Sequence, residues 1–371
     1  MAARRPASPL TLGRRAAELF GLGILPVFMN VALLVLEPRS KGGVAYDFRV
    51  AFLPAARAVA HGHSPFGAAT VSALEPGTAF VYPPAAAFVF VPFTWVPAQG
   101  AAYALSILVL ACAPATLHVL GVRDWRCYGA SLLWAPVWES VRCGALSLPL
   151  ALLLALAWRH RRRIAPVAGA LGSAIALKLF VWPLLLWLGA MRRWKSVGAV
   201  AIAAAFLVVV PWAALGFAGF SGYPHLLRVL SSIEAPESYT VGVVVRKLGL
   251  GWGAAQLVGY AAGALVLAGA VRAARRNDDR TSFVLAVCAA LVLSPIVWMH
   301  YFALLLVPVA IMSPGFGLAW LLPATLFAFP ITPGAASWQA IATALAIAAA
   351  TLVTSAGFRP PVRILRPAPT P

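Results

Sequence analysis

AAELFGLGILPVFMNVALLVLEPRSKGGVAYDF, residues 16–48, decides the class of this chain. Its 19–36 stretch is apolar enough to enter a bilayer, and it runs from an arginine-bearing start (Arg4, Arg5, Arg14, Arg15) into a polar loop that holds Asp47. No small-residue cleavage site follows Leu36, so the stretch reads as a retained signal anchor. Outward from it, apolar runs recur along almost the whole 371-residue length, with 62% hydrophobic and 11% charged residues and a mean hydropathy of +0.87. A soluble domain is about half apolar and about a quarter charged, so this composition describes a polytopic membrane protein, one domain over residues 1–371. Only ten residues are acidic. Carboxylates are costly in and beside a bilayer, so each of the ten calls for a reason.

The net charge of +19 is not a nucleic-acid signature, because the basic residues fall in short clusters between apolar runs. These are Arg4/5/14/15, Arg123/126, Arg159/161/162/163, Arg192/193 with Lys195, Arg272/275/276/280, and Arg359/363/366 in a basic tail, residues 359–371. The positive-inside rule puts all of them in the cytoplasm, so consecutive clusters are separated by an even number of crossings. Spans near 17–36, 99–121, 128–141, 146–158, 165–177, 179–190, 197–215, 252–271, 282–296, 299–312, 316–331 and 336–357 give about twelve, with both termini inside. Phe80–Pro97 is short and broken by Pro83, Pro84, Pro92 and Pro97, and is expected to be re-entrant or interfacial. The spans flanking Lys178 hold about a dozen residues each against the roughly 20 needed to cross, so a turn inside the membrane or a thinning cavity is expected there.

This topology gathers polar and aromatic groups on the non-cytoplasmic face. Loop 37–98 carries Glu37, Asp47, Arg49, Arg57, His61, His63, Glu75 and Tyr82; loop 216–251 carries Tyr223, His225, Arg228, Glu234, Glu237, Tyr239, Arg246 and Lys247. Short outer turns add Glu139, Arg142, Lys178, Trp298, His300 and Tyr301. Residues 48–60 suit an interfacial helix whose Arg49 and Arg57 either reach lipid phosphates or snorkel. His61 and His63 lack a third ligand and read as loop residues, and Cys112, Cys127, Cys143 and Cys288 are too scattered for a disulfide or metal framework. Lys178 is a lone cation among apolar neighbours, a functional candidate unless it snorkels. His300 follows the proline break at Ser294–Pro295; it is either a ligand's hydrogen-bonding partner or an interface histidine.

Several of these elements together resemble a known family. Asp47 after the first span, Gly62-His63-Ser64-Pro65-Phe66, Tyr82-Pro83-Pro84 with Pro92, Pro136 through Gly144, Ala176-Leu177-Lys178 with Arg192-Arg193-Trp194, and Ser294-Pro295-x-x-Trp298-x-His300 run in order over about residues 15–310. They resemble glycosyltransferase family 87, a GT-C superfamily group that includes polyprenyl-phosphate-mannose-dependent α-mannosyltransferases. The chain departs from it where Ala145 follows Gly144 in place of Gln, and where Glu237–Thr240 precedes Arg246 in place of an Asn-containing motif.

The resemblance implies an all-α GT-C-like bundle with a long first outer loop, acting as a hexosyltransferase in the plasma membrane. It implies transfer of a hexose, mannose first, from a polyprenyl-phosphate donor to a glycolipid or glycan acceptor at the outer face, with inversion. Asp47 is then the general base, with Lys178, Arg246, Arg142 and Arg49 on the donor phosphate and His300, Trp298, Tyr82 and Glu237 around sugar and acceptor. No cofactor is called for, since a lipid phosphate is already a competent leaving group, and the sequence gives no sign for or against a metal requirement. Membrane lipids are the remaining partner. A multi-pass transporter or flippase accounts for many spans and a buried lysine, but not for the long first loop with its Asp.

Overall fold

The computed structural model describes residues 9–36, 43–328 and 337–357, all of them helix, turn or loop with no strand. Arg4 and Arg5, Glu37, the basic tail and both termini lie outside these. The principal helices are α1 (Gly13–Leu36), α2 (Ala98–Val119), α3 (Ala135–Cys143), α4 (Ser147–Arg159), α5 (Ile164–Leu177), α6 (Pro183–Ala190), α7 (Trp194–Ala214), α8 (Tyr223–Glu234), α9 (Trp252–Arg275), α10 (Asp279–Leu293), α11 (Leu306–Met312) and α12 (Trp338–Gly357).

Five of them (α1, α2, α7, α9, α12) are long and apolar enough to cross a membrane, and a sixth span results if α3 and α4, bent by 116°, count as one. The expected twelve therefore divide into five or six full-length helices and a set of shorter apolar segments. With 14 residues α5 reaches about 21 Å, against a hydrocarbon core of about 30 Å. Phe80–Pro97 holds only the helix Pro84–Val89 and the 3₁₀ turn Val91–Trp95, since its prolines remove the donors a longer helix needs.

One acidic residue organises the short helices. Asp279, at the start of α10, accepts hydrogen bonds from Arg161 (2.9 Å), Arg193 (2.6 Å) and Trp187 (2.9 Å). Arg161 precedes α5 and Arg193 follows α6, so the chain from 164 to 190 must go out and return: α5 and α6 form a hairpin with Lys178 at its tip. Arg280 bonds the carbonyls of Ile311 and Met312 in the same way, which closes a second hairpin from α10 to α11 around Ser294–Trp298. From there the contacts continue along the same end of the bundle. The Phe316 amide donates to Asp124 (3.1 Å), Asp124 holds Arg126 (2.9 Å), and Arg126 reaches Glu18 (3.8 Å) in α1. Clusters far apart in sequence thus share one face, and both hairpin tips sit away from it.

The outgoing arm α5 packs closely on α7. A Cβ on Gly172 of α5 would stand 2.8 Å from Ala203 of α7, a spacing open only to small residues. At the tip end, the first loop folds over the bundle through a cluster of rings. Phe48 lies 5.4 Å from Phe90, and Phe52 lies 4.7 Å from Tyr82 and 4.9 Å from Phe90. Phe48, Phe52 and Phe90 are almost wholly buried, each contributing about 2–3 kcal/mol of burial.

Candidate active site

Asp47 is placed by a sharp turn. Gly43 and Ala45 both have positive φ (64° and 53°), Val44 and Ala45 are fully buried, and the chain then enters the π-helical turn Phe48–Phe52 and the helix Leu53–Ala60. The C-terminal residue of α3 is followed by Gly144, left-handed at φ 67°, whose absent side chain leaves room for Ala45: a Cβ there would meet Ala45 Cβ at 2.8 Å and Phe48 Cβ at 3.3 Å. Only glycine accepts both the dihedral and the contact. The two turns interlock and set Asp47 beside the end of α3.

Around Asp47 lies a cavity of about 710 Å³, walled by Tyr46–Asp47, the 74–83 loop, the end of α3, both hairpin tips and α8. Lys178, at the first tip, is 4% exposed; its ammonium sits 3.8 Å from the Tyr301 ring and 5.2 Å from the Tyr82 ring. Nζ has no hydrogen-bond partner among the described residues, and neither has Nε2 of His300 at the second tip, which is 5% exposed. Buried polar atoms left without partners are costly, so both point to a polar group that the protein itself does not supply. Arg142 is held by Glu139 through two 2.7 Å bonds, and Cys143 donates to the same carboxylate at 3.1 Å.

Asp47 lies outside the membrane-spanning helices, and its carboxyl is pushed up to about 6. Burial is the main cause and the Glu139 charge the second; Lys178 and Arg142 pull the other way, and Glu234 adds a smaller upward push. A carboxylate so placed is mostly ionised at neutral pH yet basic enough to take a proton.

A family model, that of glycosyltransferase family 87, matches residues 80–297, more than half of the chain. The chain belongs to that family. No curated protein and no solved structure matches it. As a family 87 glycosyltransferase it carries Tyr82, Glu139, Arg142, Lys178 and Glu234 inside the matched stretch, with Trp298 and His300 just after it and Asp47 well before it.

Of the residues singled out from sequence, the structure brings Asp47, Lys178, Arg142, His300, Trp298 and Tyr82 to one cavity. It leaves three elsewhere. The Arg49 guanidinium lies where a side chain on Gly43 would go, Arg246 is exposed over the Trp252 ring at 4.9 Å, and Glu237 is exposed on the turn Ala235–Glu237. None of the three lines the cavity. Conversely Glu234, Tyr223, Tyr301 and Glu139 line it without having been singled out for the site. Among the described residues no three His, Cys, Asp or Glu side chains are grouped to hold a metal ion.

Proposed function

We propose that this glycosyltransferase moves a hexose, mannose first among candidates, from a polyprenyl-phosphate donor to a lipid or glycan acceptor on the non-cytoplasmic face of the plasma membrane. Asp47 takes the proton of the acceptor hydroxyl as that oxygen bonds to the anomeric carbon. The bond from that carbon to the phosphate oxygen breaks on the opposite side, and the electron pair leaves with the lipid phosphate. Single displacement inverts the sugar carbon. Lys178, Arg142 and the Nε2 of His300 meet the departing phosphate, while Trp298 and Tyr82 bound the sugar.

The observation that carries this is the pairing, across one cavity, of a raised-pKa carboxylate with a buried ammonium and imidazole nitrogen that have no hydrogen-bond partner among the described residues. Preorganised positive groups aimed at developing negative charge are the usual main source of rate in such a reaction. The basic face opposite the hairpin tips agrees with a cytoplasmic assignment for the arginine clusters and an outward cavity.

The test is transfer of label from radiolabelled polyprenyl-phosphate mannose in membranes holding wild type or Asp47→Asn. Label reaching a new glycolipid with the wild type alone supports the donor and the base. Equal transfer by both removes Asp47 from the chemistry, and a retained anomeric configuration rules out single displacement.

A further inference from the structure

Helix α8 presents a single face to the cavity: Tyr223, Leu227, Leu230 and Glu234, spaced four, three and four residues apart, all line it. The helix is set there at its N-terminal end. Before it, Gly216, Phe217 and Gly219 take positive φ and turn the chain sharply; at its first residue the Tyr223 hydroxyl donates to the Val81 carbonyl at 3.1 Å. Leu226 is its one fully buried residue, so α8 covers the cavity more than it anchors the bundle.

Glu234 is an odd residue to find at the inner end of that face. It is the last residue of the helix, where the dipole disfavours a negative charge. Burial and the neighbouring Glu237 both push its carboxyl up, and its charge is felt at Asp47 and Tyr301. Nothing offsets this. Among the described residues Glu234 has no hydrogen-bond or ion-pair partner, whereas Glu139, on the same cavity, is fully paired. A half-buried carboxylate that destabilises its own helix and lines a cavity is placed to receive donors from outside the protein.

We propose that Glu234 is an acceptor-binding residue, accepting a second hydroxyl of a polyhydroxylated acceptor while a first hydroxyl faces Asp47. This rests on the transferase reaction proposed above only for the role of Asp47. Asp47 and Glu234, both lining the cavity, also disfavour an anionic acceptor group between them, so the bound end is neutral. The stripe Tyr223, Leu227 and Leu230 gives that acceptor an apolar and aromatic floor, which suits the C–H faces of a sugar ring.

The experiment reads acceptor contact without donor. Wild type, Glu234→Gln and Glu234→Ala are reconstituted in lipid nanodiscs, and saturation-transfer NMR follows a soluble methyl hexoside and, separately, 1-propanol. Wild type is expected to contact the hexoside and not the alcohol. Glu234→Ala should weaken hexoside affinity about tenfold, the loss of a charged hydrogen bond, with Glu234→Gln in between. An unfolding midpoint in each variant no lower than that of the wild type certifies the fold. Unchanged affinity in Glu234→Ala, equal contact by propanol, or no hexoside contact by the wild type overturns the assignment. Hexoside that binds but receives no label from polyprenyl-phosphate mannose would leave Glu234 in place and overturn the donor instead.

Discussion

Replacing Asp47 by Asn should remove transfer and at the same time stabilise the protein. The carboxyl is raised from 3.8 to about 6, so the folded state holds its proton more tightly than the unfolded chain does. Ionising it in place therefore costs the fold about 3 kcal/mol at one pH unit or more above that value. Part of Asp47 faces the cavity, where water screens the charge, and about 1–3 kcal/mol is the realised range. The sign follows from the raised value. Below pH 3.8 the wild-type group is protonated in both states and Asn gains nothing; between pH 3.8 and 6 the gain grows; above 6 it is complete. Thermal unfolding in nanodiscs, wild type against Asp47→Asn, should show a midpoint higher by about 2–6 °C at pH 7.5 and no difference near pH 4. A lower midpoint for the variant at pH 7.5, or a gain that does not change with pH, would refute the burial of a charged Asp47.

Four further outcomes follow from the same contacts. The pH profile of kcat/KM should fall on the acid side with an apparent pKa near 6, and Glu139→Gln should move that limb to lower pH, because one of the charges raising Asp47 is gone. Lys178→Met should raise the donor KM at least about tenfold while leaving the unfolding midpoint unchanged or higher, since a buried charge with no hydrogen-bond partner among the described residues is removed; steady-state kinetics and a melt report both. Gly144→Ala should cost about 2–4 kcal/mol and lower kcat, because the new methyl adopts a disfavoured φ and drives Ala45, and with it Asp47, from the wall. Asp279→Ala should cost a similar 2–4 kcal/mol by leaving Arg161 and Arg193 without their shared carboxylate, and a melt checks it.

The membrane class and much of the cavity are legible in the sequence for definite reasons. Arginine clusters punctuate the apolar runs, and their even spacing already pairs Arg161 with Arg193 on one face, as Asp279 does in the structure. Asp47 and Lys178 stand out because a lone charge among apolar neighbours has few structural uses. The number of crossings is not legible. A dozen apolar residues look the same in a full span as in the arm of a hairpin, and only contacts between distant segments separate them. Glu234 and Glu237 differ by three positions in one loop, and choosing between them needs the register of α8. The 223/227/230/234 spacing carried that signal. Arg246 has the right charge, but its ring partner Trp252 lies on the next helix, beyond any local pattern.

The clasp at Asp279 turns α5 into a measured length. Its base is fixed by Arg161 and its tip carries Lys178, so adding one residue to α5 would carry the ammonium about 1.5 Å further and swing it by about 100° around the helix. Lys178 would then leave the Tyr301 ring and the cavity together. Insertions and deletions should accordingly be tolerated in the surface turns of this protein and rejected within the two hairpin arms, so that close relatives would differ in loop size while α5 and α10 keep the same number of residues.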